Sequence, residues 1–317
     1  MSIELKLSRS NRIYRPNEPI QGKIVITLSS PISHSEIRVT AVGTVDFQVR
    51  KGMTGVIESL YSIAKPICIV RQTTVVKSFG RLGSGCTEIP FCLNLRSQES
   101  IVRPTFYETY HGANISIQYL ITADILRGYL HKSLSATMEF LIESDKDNLW
   151  ESPLSPDIVS FYITQDTQKH QLLPELLSDQ FKVAGKIATC CSLSEPLRGE
   201  ITVEASMVPI HSIDIQLLRV ESILVGEKFV TDASVIQMTQ IADGDICRSM
   251  TLPIYIILPR LLVCPTMSAG SFSVEFQVSV IISFQSELSK TNSKSDLRTP
   301  KPWLAMETLP LRLLRTK

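Results

Sequence analysis

The residues Glu18-Pro19-Ile20-Gln21-Gly22-Lys23-Ile24 recur in the second half of the chain as Glu195-Pro196-Leu197-Arg198-Gly199-Glu200-Ile201. Each copy is followed by a further matching segment, Pro31–Val39 in the first half and Pro209–Gln216 in the second, and the copies keep register to within one residue. Self-similarity of this kind indicates a duplicated structural unit. In each copy we expect the glycine to allow a tight turn just before a strand begins.

A weaker repeat supports the same duplication. Two segments of the first half, Ile89–Phe91 and Ile115–Tyr119, are similar to Leu252–Ile254 and Phe272–Phe276 in the second half. The segment Glu143–Asp157 is rich in charged residues, serine and proline, which is typical of a connector. The sequence therefore predicts two domains, residues 1–157 and residues 158–317.

Apolar and polar residues alternate along most of the chain, which is the period of a strand with one face in a core. The clearest runs are Ile3–Leu7, Ile37–Ala41, Val45–Val49, Leu134–Phe140 and Phe272–Phe284. The last run is the longest, and we expect an unusually long strand there. Turn signals separate the runs, so the predicted fold class is all-β, a tandem of two antiparallel β-sandwiches.

Two segments depart from this alternation. Between Thr54 and Ala64 the apolar residues recur at three- and four-residue steps, which predicts one short amphipathic helix on the outside of the first sandwich. Residues 286–302 are polar and predict a mobile loop before a final strand around Leu309, Leu311 and Leu313.

The composition excludes several classes of function. The chain has 317 residues, 44% of them apolar, which is enough to fill two hydrophobic cores. Its formal net charge of +1 provides no strong positive electrostatic field that would attract nucleic acid. The longest apolar stretch, Leu252–Cys264, contains Pro253, Pro259 and Arg260 and is too short to span a bilayer. The first six residues alternate and do not resemble a secretory signal, so we expect a cytoplasmic protein.

No motif indicates catalysis, and we expect no enzymatic activity. Gly80–Gly85 resembles a phosphate loop superficially, but no Lys-Ser/Thr follows, and we expect a flexible hairpin. The five histidines are scattered, so the sequence predicts neither a metal nor a cofactor; His34 and His211, beside the repeated Pro-Ile elements, indicate a structural position. The seven cysteines contain no CxxC pair and are interpreted as reduced, mostly apolar fillers.

The end of the chain is basic. From Leu288 onward seven basic residues stand against two acidic ones, spread over 30 residues. Such a segment could touch anionic lipid, but the spacing favours a solvated tail.

Several stretches resemble one known family. They are Glu18-Pro19 with Gly22, Tyr107–Gly112, Gln216–Glu221, Gln240–Arg248, Pro253–Tyr255 and Cys264–Thr266. Together with the tandem architecture, these stretches resemble the vacuolar protein sorting 26 family, the arrestin-like subunits of endosomal sorting complexes. The resemblance implies an arrestin-like tandem of sandwiches with one short helix in the first.

Within that family, Tyr107–Gly112 and Gln240–Asp245 resemble the arrestin-like subunit of retriever more than that of retromer. Retromer-type chains tend to have methionine where Ala242 stands, and they lack Asp245. The resemblance implies a non-catalytic subunit that caps an α-solenoid partner, in a complex with a metallophosphoesterase-fold third subunit and a sorting-nexin cargo adaptor. Such a complex selects cargo for recycling from endosomes to the plasma membrane, and the chain would be peripheral on endosomes through the complex.

The resemblance also implies where the solenoid binds, namely at Ile241, Ala242, Asp243, Gly244 and Asp245. The residues themselves are compatible with this, because Ile241 is apolar and the Asp243-Gly244 turn signal would hold it outward. An ordinary hairpin tip with Ile241 folded inward remains the alternative. The smaller Ala242 implies a contact that differs in detail from the retromer one.

Other classes of function stay open. A retromer-type subunit or a stand-alone arrestin-type adaptor is the alternative, but the latter would be expected to carry PPxY motifs, and the sequence has none. A carbohydrate-binding sandwich would be expected to expose several aromatic side chains. The sequence has only two tryptophans, Trp150 and Trp303, which disfavours this class.

Overall fold

The computed structural model describes residues 2–48, 65–95, 106–128, 132–143, 157–168, 181–244, 246–260, 262–284 and 303–316. Most of these residues lie in β-strands, and the helical segment among them is a single 3-10 turn, Gln165–Thr167. Within these ranges no helix has the length and apolar character needed to cross a membrane. The helix predicted at 54–64 and the loop predicted at 286–302 lie outside the described residues.

The described strands are numbered in chain order. Those of the first half are β1 Ser2–Leu7, β2 Ile13–Tyr14, β3 Ile20–Leu28, β4 Ile32–His34, β5 Glu36–Phe47, β6 Ile67–Lys77, β7 Gly80–Leu82, β8 Gly85–Leu93, β9 Tyr110–His111, β10 Ile115–Leu126 and β11 Leu134–Ile142. Those of the second half are β12 Ile158–Thr164, β13 Phe181–Ala188, β14 Cys190–Ser192, β15 Leu197–Ser206, β16 Ile210–Val225, β17 Lys228–Asp243, β18 Thr251–Ile256, β19 Met267–Ser268, β20 Phe272–Phe284 and β21 Trp303–Leu314.

The chain forms two compact units, residues 1–150 with 223–230 and residues 151–222 with 231–317. Residues 144–156 lie outside the described part, so the domain boundary at residue 157 stays a prediction.

In the first unit, a three-stranded sheet in the order β1-β3-β8 accompanies a six-stranded sheet in the order β2-β11-β10-β5-β6, with β9 added to β10. The strands pair antiparallel, except that β2 and β11 are parallel. Alternate side chains of both sheets are fully buried, for example Ile24 on β3 and Ile121 on β10. Burial of these alternate apolar faces holds the sandwich together.

The second unit repeats this topology. Its sheets have the orders β12-β13-β15-β18 and β14-β21-β20-β16-β17, with β19 added to β20, and β14 pairs with β21 in parallel just as β2 pairs with β11. Among the described strands, β12 has no counterpart in the first unit, and the small sheet of β4 and β7 has no counterpart in the second. The structure therefore confirms the duplication that the sequence predicts.

The repeated glycines act differently from our expectation. Gly22 and Gly199 lie inside β3 and β15, after the strand has begun, so the predicted role in a tight turn is wrong. A Cβ on Gly22 would lie 2.5 Å from the carbonyl oxygen of Lys6, and a Cβ on Gly199 would lie 2.5 Å from that of Lys186. Glycine stands at both positions because the backbone of the neighbouring strand comes too close for any side chain.

Two further expectations need correction. The long strand predicted at Phe272–Phe284 is present, but β16 and β17 are longer, with 16 residues each. The segment Gly80–Gly85 is not a hairpin, because β7 pairs with β4 while β8 pairs with β3. Gly85, with φ of +101°, allows the chain to pass from one sheet to the other.

The cysteines divide into two groups. Cys190, Cys191 and Cys264 are buried and fit the predicted role of apolar fillers, and burial raises the pKa of Cys191 to about 11. The other four, Cys68, Cys86, Cys92 and Cys247, are exposed, so the filler interpretation is wrong for them.

His34 is a buried histidine of β4, whereas His211 is exposed on β16. His34 is 1% exposed, and among the described residues neither ring nitrogen has a hydrogen-bond partner. Burial lowers the pKa of His34 below its ordinary value of 6.5, and nearby Lys77 lowers it further.

This burial predicts a pH-dependent stability. Because the folded pKa is lowered, the unfolded chain takes up the proton first, so His34 stabilises the fold above pH ~6.5 and loses that contribution as pH falls toward the folded pKa. We expect the free energy of unfolding, measured by urea titration, to decrease between pH 7 and pH 5. The variant His34→Leu should show a shallower slope than wild type over the same pH range. Equal slopes for His34→Leu and wild type would contradict the prediction.

Candidate partner-binding site

The predicted partner-binding residues lie at the end of β17, the edge strand of the second six-stranded sheet. Ile241 and Ala242 are half-buried, and Asp243 is exposed. Asp245 lies outside the described residues. Since Ile241 is half-buried, part of its side chain remains accessible to a partner.

A fixed turn follows the strand. Gly244 has φ of +60°, and its N–H donates a hydrogen bond of 2.6 Å to the carbonyl oxygen of His211. The chain then crosses to β18, which pairs with β15 in the four-stranded sheet. The tight turn is therefore present, but the alternative of an ordinary hairpin tip is wrong, since β17 and β18 belong to different sheets.

The far end of this crossing is anchored as well. Ser249 adopts φ of 63°, a conformation that is uncommon for a residue other than glycine, and its N–H donates to the carbonyl oxygen of Val203 at 2.8 Å. Between the two anchors Cys247 and Arg248 are exposed, and Met250 after them is 54% exposed. The loop thus presents its middle to solvent while both ends are tied to the sandwich.

A pocket of about 250 Å³ lies beside this loop. It is lined by Val203, Ser206, Met207, Val208, Pro209, Ile210, Ile246 and Arg248. Met207 is 63% exposed, and the hydroxyl of Ser206 donates to the carbonyl oxygen of Val208 at 2.5 Å, which holds the rim in place. The sequence did not identify the β15–β16 connection as part of this pocket. The nearest sequence feature was the repeated Pro209-Ile210 element.

The site combines one exposed cation with apolar side chains, which favours a partner surface with both polar and apolar groups. Arg248 is exposed, and no carboxylate of the described ranges makes an ion pair with it. Within those ranges no group of three or more metal-ligating side chains occurs. A half-buried isoleucine, two exposed methionines and one free guanidinium can bind an apolar side chain that stands next to a carboxylate.

Comparisons with known proteins agree on one family. The family model described as vacuolar protein sorting-associated protein 26 matches residues 3–287. A Dictyostelium discoideum protein called vacuolar protein sorting-associated protein 26C is 33% identical over 287 residues, which cover 88% of this chain and 93% of that protein. A Plasmodium falciparum protein called vacuolar protein sorting-associated protein 26 is 20% identical over 178 residues, 56% of this chain and 54% of that protein.

Proposed function

The chain belongs to the vacuolar protein sorting-associated protein 26 family, and from this we propose that it is a non-catalytic subunit of a retriever-like endosomal sorting complex. The family consists of arrestin-like subunits of endosomal trafficking complexes. The observation that carries the proposal is the 33% identity to the 26C protein over 88% of the chain. The duplicated topology agrees with such a scaffold.

The retriever form is favoured over the retromer form by two observations. The relative called 26C matches most of the chain at 33% identity, whereas the relative called 26 matches 56% of it at 20%. Ala242 stands where retromer-type chains tend to have methionine. We therefore propose an α-solenoid partner of the retriever type, together with a metallophosphoesterase-fold subunit and a sorting-nexin adaptor, in recycling of cargo to the plasma membrane. A retromer-type complex is the alternative.

The proposed solenoid contact is the end of β17 with the loop after it, residues Ile241 to Asp245. Ile241 would act as an apolar anchor, because its side chain is only half-buried and it lies at the end of β17 next to the loop. Gly244 would fix the direction of the loop through its bond to His211. Met207 and Arg248 would extend the contact around the neighbouring pocket.

The variant Ile241→Asp tests this contact. A charge at an apolar anchor leaves an unpaired carboxylate in the interface, so we expect affinity for the solenoid to fall about 30- to 100-fold, roughly 2–3 kcal/mol. Binding is measured by titrating the purified solenoid subunit of retriever into the full chain. The melting temperature should be unchanged because Ile241 lies at an exposed sheet edge.

The matched control is Val235→Asp, which changes a 53% exposed residue of the same strand away from the loop. It should bind the solenoid like wild type. Wild-type affinity of Ile241→Asp would remove the loop from the interface. Binding to the retromer solenoid in place of the retriever one would contradict the retriever assignment and leave the family role intact.

A further inference from the structure

One end of the first unit carries basic residues around the exposed aromatic side chain of Phe79; three of these basic residues are exposed and Arg127 is half-buried. These residues are Lys77, Phe79, Arg81, Arg127 and Lys132, and we call them the basic tip. Phe79 is 84% exposed, more than any other large apolar side chain of the described ranges. Isolated exposed apolar residues are ordinary, but an aromatic ring standing free among cations is a recognisable combination.

The strand registers place these residues at the same end of the six-stranded sheet. Ile37 of β5 pairs with Lys77 of β6 on one side and with Ile125 of β10 on the other. Ile125 in turn pairs with Leu134 of β11. Phe79, Arg127 and Lys132 each lie two residues beyond those paired positions, so they lie together at one end of the strands. With strands ~4.8 Å apart, the group spans roughly 15 Å.

The remaining member, Arg81, lies on β7 and pairs with Ser33 of β4, in the small sheet that follows Phe79. The tip is held by further bonds at this end, since the N–H of Ser35 donates to the carbonyl oxygen of Leu126 at 2.9 Å. Phe79 is therefore presented by ordered strands on both sides.

Within the part of the chain that the structure describes, the cations of the tip have no acidic partner. Elsewhere in the unit, several basic residues have carboxylate partners, such as Lys23 with Glu88 at 2.9 Å and Arg38 with Asp124 at 3.4 Å. Among the described residues no carboxylate makes an ion pair with Lys77, Arg81, Arg127 or Lys132. The described connections at this end contain no acidic residue, and Glu36 is the first residue of the adjoining strand β5. The tip thus carries a net positive charge that an anionic surface would complement.

We infer that the basic tip contacts an anionic membrane surface directly, with Phe79 inserted at the boundary between headgroups and acyl chains. A flat anionic surface can meet the exposed cations together although they come from different strands and loops, and each basic residue near such a surface adds about fivefold to membrane partitioning. The aromatic ring is suited to this boundary, where its apolar body leaves water. The inference goes beyond the solenoid contact, because it uses a different unit of the chain.

Vesicle binding of the purified full chain tests the inference. We expect the chain to sediment with vesicles of phosphatidylcholine and phosphatidylserine, to bind pure phosphatidylcholine weakly, and to dissociate as salt is raised. Phe79→Ser should lower the partition coefficient about tenfold, and the double variant Lys77→Glu with Arg81→Glu by more than that. Phe79→Trp should bind at least as well as wild type, because tryptophan favours the interface.

Matched controls change similar residues elsewhere. Phe229, 56% exposed, is replaced by serine, and exposed Arg198 and Lys228 are both reversed to glutamate. These variants should keep substantially more binding than the tip variants, and Ile241→Asp should bind vesicles like wild type. Melting curves show that each variant is folded.

Three results would overturn the inference. The first is wild-type vesicle binding by the folded tip variants, and the second is a lack of preference of the wild type for phosphatidylserine. The third is unchanged vesicle binding by tip variants that lose a co-purifying protein, which would assign the tip to a protein partner.

Discussion

Replacing Glu221 with leucine is expected to lower the free energy of unfolding by about 3–5 kcal/mol. The side chain of Glu221 is 2% exposed, and its Oε1 lies 3.4 Å from Nε of Arg219, whose side chain is 11% exposed. Both belong to β16, on the face that carries the buried residues Leu217 and Ile223. Leucine would remove the carboxylate and leave the buried guanidinium without this partner.

Urea denaturation of the single and double variants measures the effect. The double variant Arg219→Met with Glu221→Leu should recover about half of the loss or more, because both buried charges are then gone. The matched control Glu227→Leu changes an exposed carboxylate and should shift stability by less than about 0.5 kcal/mol. If Glu221→Leu behaves like Glu227→Leu, the pair contributes nothing to folding.

Replacing Gly199 with valine is expected to cost about 3 kcal/mol. The new Cβ would lie 2.5 Å from the carbonyl oxygen of Lys186. Gly199 pairs with Ile187 of β13 on one side and with Ile254 of β18 on the other, so its strand is flanked on both sides. The contact is with backbone, which cannot rotate away as a side chain could, and the strands must separate.

The repeat supplies a second test of the same contact. Gly22→Val should cost a similar amount, since its Cβ would lie 2.5 Å from the carbonyl oxygen of Lys6. Gly83→Val is the control, because a Cβ there meets no atom within 4 Å. Thermal melts compare the three variants. A wild-type melting temperature for Gly199→Val would show that the strands separate freely.

Local patterns predicted the strands well. Alternation is a property of neighbouring residues, so the runs at Ile37–Ala41, Leu134–Phe140 and Phe272–Phe284 all lie in strands of the structure. The pattern is weaker where a core-facing position is charged, as at Arg219 and Glu221. This explains why β16, one of the two 16-residue strands, was not recognised as longer than Phe272–Phe284.

Pairing between distant strands could not be read from such patterns. The turn signals at Gly83–Gly85 and Asp243-Gly244 are real, as the positive φ angles of Gly85 and Gly244 show. Both turns join strands of different sheets, so the hairpin expected at Gly80–Gly85 and the alternative of a hairpin tip at Ile241 are both wrong. A turn residue specifies the local direction of the chain, whereas the partner of the next strand depends on residues far away in sequence.

The same limit applies to the binding surfaces. The resemblance to a family pointed to Ile241–Asp245, but the pocket beside that loop also needs Met207 and Pro209 from another connection. The basic tip gathers residues between positions 77 and 132, which carry no common motif. Sequence charge counts drew attention to the basic end of the chain, most of which lies outside the described residues.

The amino-acid sequence by itself determined that the chain is a duplicated all-β protein of the vacuolar protein sorting 26 family, because periodicity, repeats and motifs are written in consecutive residues. Only the tertiary structure shows that a neighbouring backbone leaves no room for a side chain at Gly22 and Gly199, and which residues lie together at one end of a sheet. Those features depend on the distance between backbones that sheet pairing brings together, and that distance has no local signature.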